Sequence, residues 1–516
     1  MSNQLWQRKP VEHFENEMKQ SALKRVLGKW GLTSLGVGAI IGAGIFVMTG
    51  VGAKEYAGPA LALSFVFAGI GCTFAALCYA EFASFLPVEG SAYAYSYATV
   101  GELFAWIIGW DLILEYAMGA SAVAVGWSGY MAKFFFLFDI KFPIWLMNDY
   151  FTASEIIATA KQSANGLQAL SHKFSDTIIP QFMGINFAIN LPALLVIWFI
   201  TAILVKGIKE AASTNNFMVV LKVVVVLFII IVGAQYINTA NWNPFIPERG
   251  TYTDSLGNSH EAYGLIGIIA GAAYIFFAYI GFDTVSTHAG ESQNPQKDVP
   301  FGIIVSLIVC TILYILVALV LTGMINYKDI DITAPIAAAF GSQGLNFAVF
   351  IISIAAIAGL TSVLIVMLLG QSRVFFAISK DGLLPKKTFG ELHPKYRTPY
   401  KANILIGFIV SLVAAFTPID SISKMVNIGT LLAFVMVCVA VMVMRKKEPT
   451  RHRPFVTPAV WIVAPLGIIF NLGMMITLEW QNWARLFVWL LIGIIIYFVY
   501  GKKHSVLNAT TNKVQK

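Results

Sequence analysis

Apolar residues run along this chain in long unbroken stretches, not in strict alternation with polar ones. Crossing ~30 Å of hydrocarbon takes roughly 20 such residues in a helix. Stretches of that size fall at about 31–53, 60–83, 103–136, 187–206, 217–237, 263–287, 301–325, 346–371, 402–417, 425–444, 457–477 and 484–500. A β-barrel would show short alternating segments instead. The pattern therefore predicts an all-α integral membrane protein of about twelve spans, the third long enough to tilt strongly or project beyond the bilayer. Two connecting segments are long, about 137–186 and 238–262, and the first carries an amphipathic stretch, Ala153 to Leu170, that reads as a surface helix. Between Asp381 and Tyr400 the chain is basic, with Pro385, Pro394 and Pro399 limiting helix continuity.

Two of these stretches are interrupted. The first reads Gly36-Val-Gly38-Ala-Ile40-Ile41-Gly42-Ala43-Gly44-Ile45-Phe46. Each glycine weakens a helix by roughly 1 kcal/mol relative to alanine. Alone, the segment has two readings: a break, or close helix packing through the Gly38–Gly42 GxxxG pair. The sixth stretch carries a counterpart, Phe276-Phe277-Ala278-Tyr279-Ile280-Gly281-Phe282-Asp283. Interruptions at matching places in two halves point to an inverted-repeat transporter, here with repeats over 31–237 and 263–444 and accessory helices at 457–500. Unwinding frees amides at the start of one half-helix and carbonyls at the end of the other. The amides attract a carboxylate and the carbonyls an ammonium, a fit for the head group of an α-amino acid. No charged side chain precedes Asp283 within either break, which suits a zwitterion.

Composition agrees with the class. The 516 residues are 58% hydrophobic and 12% charged, with mean hydropathy +0.73, against about a quarter charged in soluble domains. The net charge of +8 does not imply a nucleic-acid partner, because the positive residues lie between the apolar stretches. With the N-terminus inside, 25 of the 35 Lys and Arg fall on the cytoplasmic side, 1–30 and 501–516 included, so both termini are expected in the cytoplasm of a plasma-membrane protein. Cys72, Cys78, Cys310 and Cys438 lie inside apolar stretches without disulfide or metal spacing. No cleavable signal, nucleotide loop, nucleophile–base pair, cofactor motif or metal cluster is visible, which speaks against an enzyme or an ATP-driven pump.

Ionisable residues at membrane depth are functional candidates, since each costs at least ~2.5 kcal/mol to insert. Lys222, in Leu221-Lys222-Val223, either snorkels to the interface or points an ammonium into the bundle, where it can exchange a proton during transport. Glu115 shares a helical face with Asp111, four residues earlier, and reads either as a structural carboxylate or as a neighbour of the substrate. Glu81 fits packing or gating at an interface, and His288 a solvated position at the inner end of the sixth helix.

Several of these segments resemble one family. They are Gly38 to Phe46, Cys78-Tyr-Ala-Glu-Phe-Ala-Ser84 with Gly90-Ser-Ala-Tyr93, Gly109 to Tyr116, Phe276 to Asp283 with Asn294-Pro295, Gln371-Ser-Arg373 and Asp381-Gly-Leu-Leu-Pro385. Together they are similar to the amino acid–polyamine–organocation superfamily, specifically bacterial permeases close to the cationic amino acid transporters. The resemblance implies a LeuT-like 5+5 fold with two further helices and alternating access around a central site. By position, the substrate carboxylate would meet the backbone at Ile41, Gly42, Ala43, Gly44 and Ile45, and the ammonium would meet carbonyls near Ile40, Phe277, Ala278 and Ile280. Lys222 matches a lysine that stands where sodium-coupled relatives hold an ion, with Thr361 and Ser362 facing that region. By the same resemblance Glu115 would lie beside the pocket and Phe277 would act as an aromatic gate, while Met367 reads either as the border of the side-chain pocket or as a packing methionine. Ala43 departs from the threonine or serine usual there, and His288-Ala-Gly-Glu291 from Ala-Ala-Glu-Glu.

The resulting expectation is proton-coupled symport of small or branched neutral L-amino acids. The alternatives are a cationic amino acid carrier, an exchanger, or a transport-inactive nutrient receptor. Membrane lipid, the amino acid and the proton are the implied partners, and a small membrane subunit stays open.

Overall fold

A backbone out of reach of water must satisfy its own N–H and C=O groups, so apolar stretches become helices. The computed structural model describes residues 5–10, 27–86, 91–161, 166–182, 184–207, 211–253, 259–289 and 292–507. The first stretch forms α1 (Lys29–Ile40) and, after a break, α2 (44–57), which contains wide π turns at Gly44–Met48 and Gly52–Ala57. Then follow α3 (Leu61–Phe85), α4 (Glu102–Phe136), α5 (Tyr150–Lys161), α6 (Leu191–Lys206) and α7 (Ala211–Gly233). The sixth stretch is α8 (Gly264–Ile275), a tight turn at Phe276–Tyr279, and α9 (Thr284–Thr287). The chain continues through α10 (Pro295–Met324), α11 (Asn346–Lys380), α12 (Tyr400–Phe416), α13 (Ile419–Lys447), α14 (Val460–Ile476) and α15 (Trp480–Ile496).

Among the described residues, eight helical stretches are long and apolar enough to cross a membrane, and α6, α12 and α14 are shorter apolar helices. Every stretch read from the sequence carries a helix. At 35 residues, α4 is about 52 Å long at 1.5 Å per residue, more than a hydrocarbon core is thick. α4 packs along α11 and α13, and α10 along α1 and α3. This arrangement puts the two breaks inside the bundle. Exposed Val220, Val224, Leu227 and Ile231 line the outward side of α7, as a lipid-facing surface would.

The long connections build one end of the molecule. The expected surface helix at 153–170 is instead two helices, α5 and Gly166–Lys173, with 162–165 outside the described residues. Ala153 and Leu170 bury their apolar sides with Ile144 and Ala188 in a small cluster of their own. Two antiparallel hairpins complete this end, β1 (Gln181–Phe182) with β2 (Ile185–Asn186) and β3 (Gly250–Thr253) with β4 (Ser259–Ala262). Lys133 and Lys173 converge on Asp331 at 2.9 and 3.4 Å. Burial alone would push that carboxyl up, but the two lysines outweigh it and hold it well below the usual carboxylate range.

The opposite end gathers the chain termini. Lys9 pairs with Asp381 at 3.1 Å, and the Tyr93 hydroxyl donates to the same carboxylate at 2.7 Å. Glu102 accepts from Tyr97, Tyr497 and Ser505. Glu81, read as an interfacial packing or gating residue, is buried in an ionic hub. Arg445 grips it through two bonds of 2.7 and 2.9 Å, Arg453 lies at 3.2 Å, and the Thr457 amide donates to it at 2.9 Å. Most of the segments 1–30 and 501–516, and the motif residues Gly90, Gly290 and Glu291, lie outside the described residues. The four cysteines are unbonded and buried.

Candidate functional site

The first break sits at Ile41 and Gly42. Ile41 turns extended at φ −71°, ψ 97°, and Ala43 is helical again at φ −57°, ψ −27°. The Ile41 amide still donates to the Val37 carbonyl at 2.9 Å, so the helix ends one residue after Ile40. The later carbonyls of α1 have no amide ahead of them. Side chains from two other helices take their place. Lys222 of α7 donates from Nζ to the Gly38 carbonyl at 2.8 Å. Tyr314 of α10 reaches the Ile40 carbonyl at 2.7 Å.

The second break follows the same logic. The turn at Phe276–Tyr279 shifts the hydrogen-bond step from four residues to three, which strands carbonyls at the end of α8. Asn427 of α13 donates to those of Ala273 and Tyr274 at 2.9 and 2.6 Å. Ile280 is extended at ψ 132°, and Gly281 has φ +122°, a conformation that favours glycine. The Tyr314 hydroxyl also lies 2.9 Å from the Ala278 carbonyl. One hydroxyl, with a single proton to donate, thus stands between the exposed carbonyls of both breaks.

The breaks touch each other. A Cβ on Gly44 would collide with the backbone and side chain of Ala278, and one on Gly281 would fall 2.8 Å from the Ala39 carbonyl carbon. Ile40, Ile41, Gly42, Ala43, Gly44 and Ile45 are therefore brought against Phe277, Ala278 and Ile280, and all are buried. The first amides of the resumed helix, from Gly42 to Ile45, stand where an anion is attracted, and the carbonyls of Ile40 and Ala278 where a cation is.

Three predicted side chains surround this junction. Met367 of α11 and Phe277 meet over Gly119 of α4, where the position of an added Cβ is 3.1 Å from Met367 Sδ and 3.9 Å from the Phe277 ring. Glu115, one turn earlier on α4, is buried with Asp111, Asp283 and Thr430 as neighbours. Among the described residues, its Oε2 and both Asp111 oxygens have no hydrogen-bond partner. Lys222 is fully buried, which removes the snorkelling alternative. Its stem lies on Gly359 of α11, 3.2 Å from the point an added Cβ would occupy.

Thr361, two residues past Gly359, is engaged on another side. Its hydroxyl accepts from Trp127 of α4 at 3.0 Å and donates to the Ile357 carbonyl at 2.7 Å. Ser362 lies between Thr361 and Val363, whose side chain packs against Gly42. His288 is half-buried, with Nδ1 3.0 Å from the Thr284 carbonyl. Sequence reasoning missed Tyr314 and Asn427. A tyrosine in an apolar run looks like packing, whereas an asparagine at membrane depth was a signal that could have been followed.

Comparison with known proteins places this geometry among carriers. The model of a family described as amino acid permease matches residues 27–499. A branched-chain amino acid permease of Bacillus subtilis is 46% identical over 95% of this chain and 96% of its own. A methylthioribose transporter of the same organism is 40% identical, covering 98% of this chain and 99% of its own. A vacuolar cationic amino acid transporter of Arabidopsis thaliana is 37% identical over 87% of this chain and 68% of its own.

Proposed function

The chain belongs to the amino acid permease family, a family of multi-pass membrane transporters and not of enzymes, and we propose that it is a proton-coupled symporter of small or branched neutral L-amino acids. The observation that carries this reading is the contact of the two breaks, where Gly44 packs on Ala278 and one Tyr314 hydroxyl reaches the carbonyls of both Ile40 and Ala278. A zwitterionic head group supplies both complementary charges at once. Substrate would bind there between repeats 31–237 and 263–444 of a LeuT-like core, with 457–500 as accessory helices, and pass by alternating access. The side chain would project toward Phe277, Met367 and Glu115. An apolar Met367 beside Phe277 would favour branched aliphatic chains. The branched-chain permease among the relatives supports this preference.

Lys222 would carry the coupling. Protonated, its ammonium ties α7 to the Gly38 carbonyl, just before the first break. Without that proton the lysine loses its charge and its strongest hold on the carbonyl. Proton binding and the shape of the break are thereby linked, which is what coupling requires. The protein would lie in the plasma membrane with both termini in the cytoplasm, on the distribution of Lys and Arg.

The methylthioribose transporter among the relatives favours a second reading, a neutral non-amino-acid cargo. One experiment tests both. Uptake of labelled valine, alanine, arginine and methylthioribose into proteoliposomes is measured under imposed proton and sodium gradients. Proton-driven valine uptake is the expected result. Sodium dependence, or uptake of methylthioribose alone, would overturn the proposal.

A further inference from the structure

A second polar site lies at the end of the molecule away from the chain termini. A cavity of ≈ 60 Å³ is walled by α2, α4, α5 and the start of α13. Its apolar side is Val47, Val51 and Val125, and its polar side includes Glu55, Asp149, Glu155 and Asp420. Among the described residues, four carboxylates line it and no lysine or arginine does. The cations closest to Glu55 are committed elsewhere. Lys424 pairs with Asp420 and Glu479 at 2.8 and 2.9 Å, and Lys54 donates to the Ile330 carbonyl at 3.1 Å.

Glu55 is the member that lacks a match. It is 4% exposed, and although the Tyr252 hydroxyl stands beside its carboxylate, Oε2 has no hydrogen-bond partner among the described residues. An uncompensated buried carboxylate is costly, and a cationic ligand removes the cost. The class of cation follows from the spacing. Among the described residues, no three His, Cys, Asp or Glu side chains converge as a metal site. A hard divalent ion needs several oxygens at once, whereas a primary ammonium needs only a few acceptors and tolerates scattered ones. By the ~15 Å³ that one water requires, the cavity holds roughly four waters, or an ammonium with a short aliphatic chain on the valines.

We infer that this cavity is a separate binding site for a primary ammonium bearing a short aliphatic chain, with Glu55 as its principal acceptor. Among the described residues the lining offers a carboxylate no cationic side chain and only the neutral amides and hydroxyls of Asn148, Asn190, Thr152 and Thr333, so the site differs in kind from the junction of the breaks, which attracts both charges.

The test uses isobutylamine, which is valine without its carboxylate, and isovalerate, which has the same carbon skeleton and the opposite charge. Each is titrated into the purified full-length protein and thermal stability is followed. A saturable upward shift with isobutylamine and none with isovalerate is expected. In Glu55→Gln the midpoint should move about tenfold higher, the loss of one charge-assisted contact. Glu155→Gln, on the more open wall, should move it in the same direction and serves if the first variant does not fold. Phe277→Ala, at the junction, should leave the midpoint unchanged. No saturable shift in the wild type, equal shifts with both compounds, an unmoved midpoint in the glutamine variants, or loss of the shift in Phe277→Ala would each overturn the assignment. Because binding is read and not uptake, a failure of the symport proposal leaves the result interpretable.

Discussion

Replacing Lys222 with methionine separates the mechanical role of this side chain from its charge. The lysine is fully buried, bonded to the Gly38 carbonyl at 2.8 Å and laid along Gly359. Methionine keeps most of that packing and none of the charge. Leaving the Gly38 carbonyl without its donor costs about 1–3 kcal/mol. Exchanging a buried ionic group for a packed apolar one gives back on the order of 1–4 kcal/mol. The two nearly cancel, so the melting temperature should move by no more than about 3 °C. Transport has no such compensation. Under an inward acid gradient, Lys222→Met proteoliposomes should fail to accumulate labelled valine above equilibrium, while counterflow exchange without a gradient continues. Accumulation equal to wild type would refute the argument, because the proton would then travel by another group. A large fall in melting temperature together with loss of counterflow would also refute it, making Lys222 a strut.

Four further outcomes follow from the geometry. Tyr314→Phe removes the hydroxyl shared by the Ile40 and Ala278 carbonyls and should weaken substrate binding about 5–30-fold, or 1–2 kcal/mol, in a binding titration. Met367→Ser should raise arginine binding relative to valine, and an unchanged ratio would assign Met367 to packing alone. Glu81→Gln breaks a buried pair with Arg445 and Arg453 and should cost about 3–5 kcal/mol, read as a lower melting temperature in detergent. Asp331→Asn should lower stability at neutral pH. Because the folded carboxyl is held below its unfolded value of about 4, the gap from wild type is full above that pH and closes as the pH falls beneath it.

The helices were legible because their apolar runs are long, and the breaks because the glycine-rich string of the first run has a counterpart in the sixth, a glycine flanked by aromatics. The first cluster spans eleven residues, whereas the chain departs from helix only at Ile41 and Gly42. Glycine content marks where a helix is weak, and the partners of the freed carbonyls decide where it opens. Those partners were hidden. Tyr314 and Asn427 reach the breaks from helices far along the chain, and Glu81 meets Arg445 across 364 residues. Pairings of that kind depend on how helices are rotated against one another, which a hydropathy pattern does not specify. Lys222 was visible as a charge in an apolar run, but only its burial chose between the two readings. The lining of the ammonium cavity comes from segments as distant as Val47 and Asp420, so no local motif announced it.

The contact of Gly44 with Ala278, and of Gly281 with Ala39, has a mechanical consequence. Each interruption occupies the space that a side chain on the other would need, so the two mesh like teeth and neither can turn alone. Any tilt of α1 drags the Phe276–Tyr279 turn with it. In the proposed transport cycle a cargo molecule wedged between them would sense one hinge and not two, and opening to either face of the membrane would be a single concerted stroke.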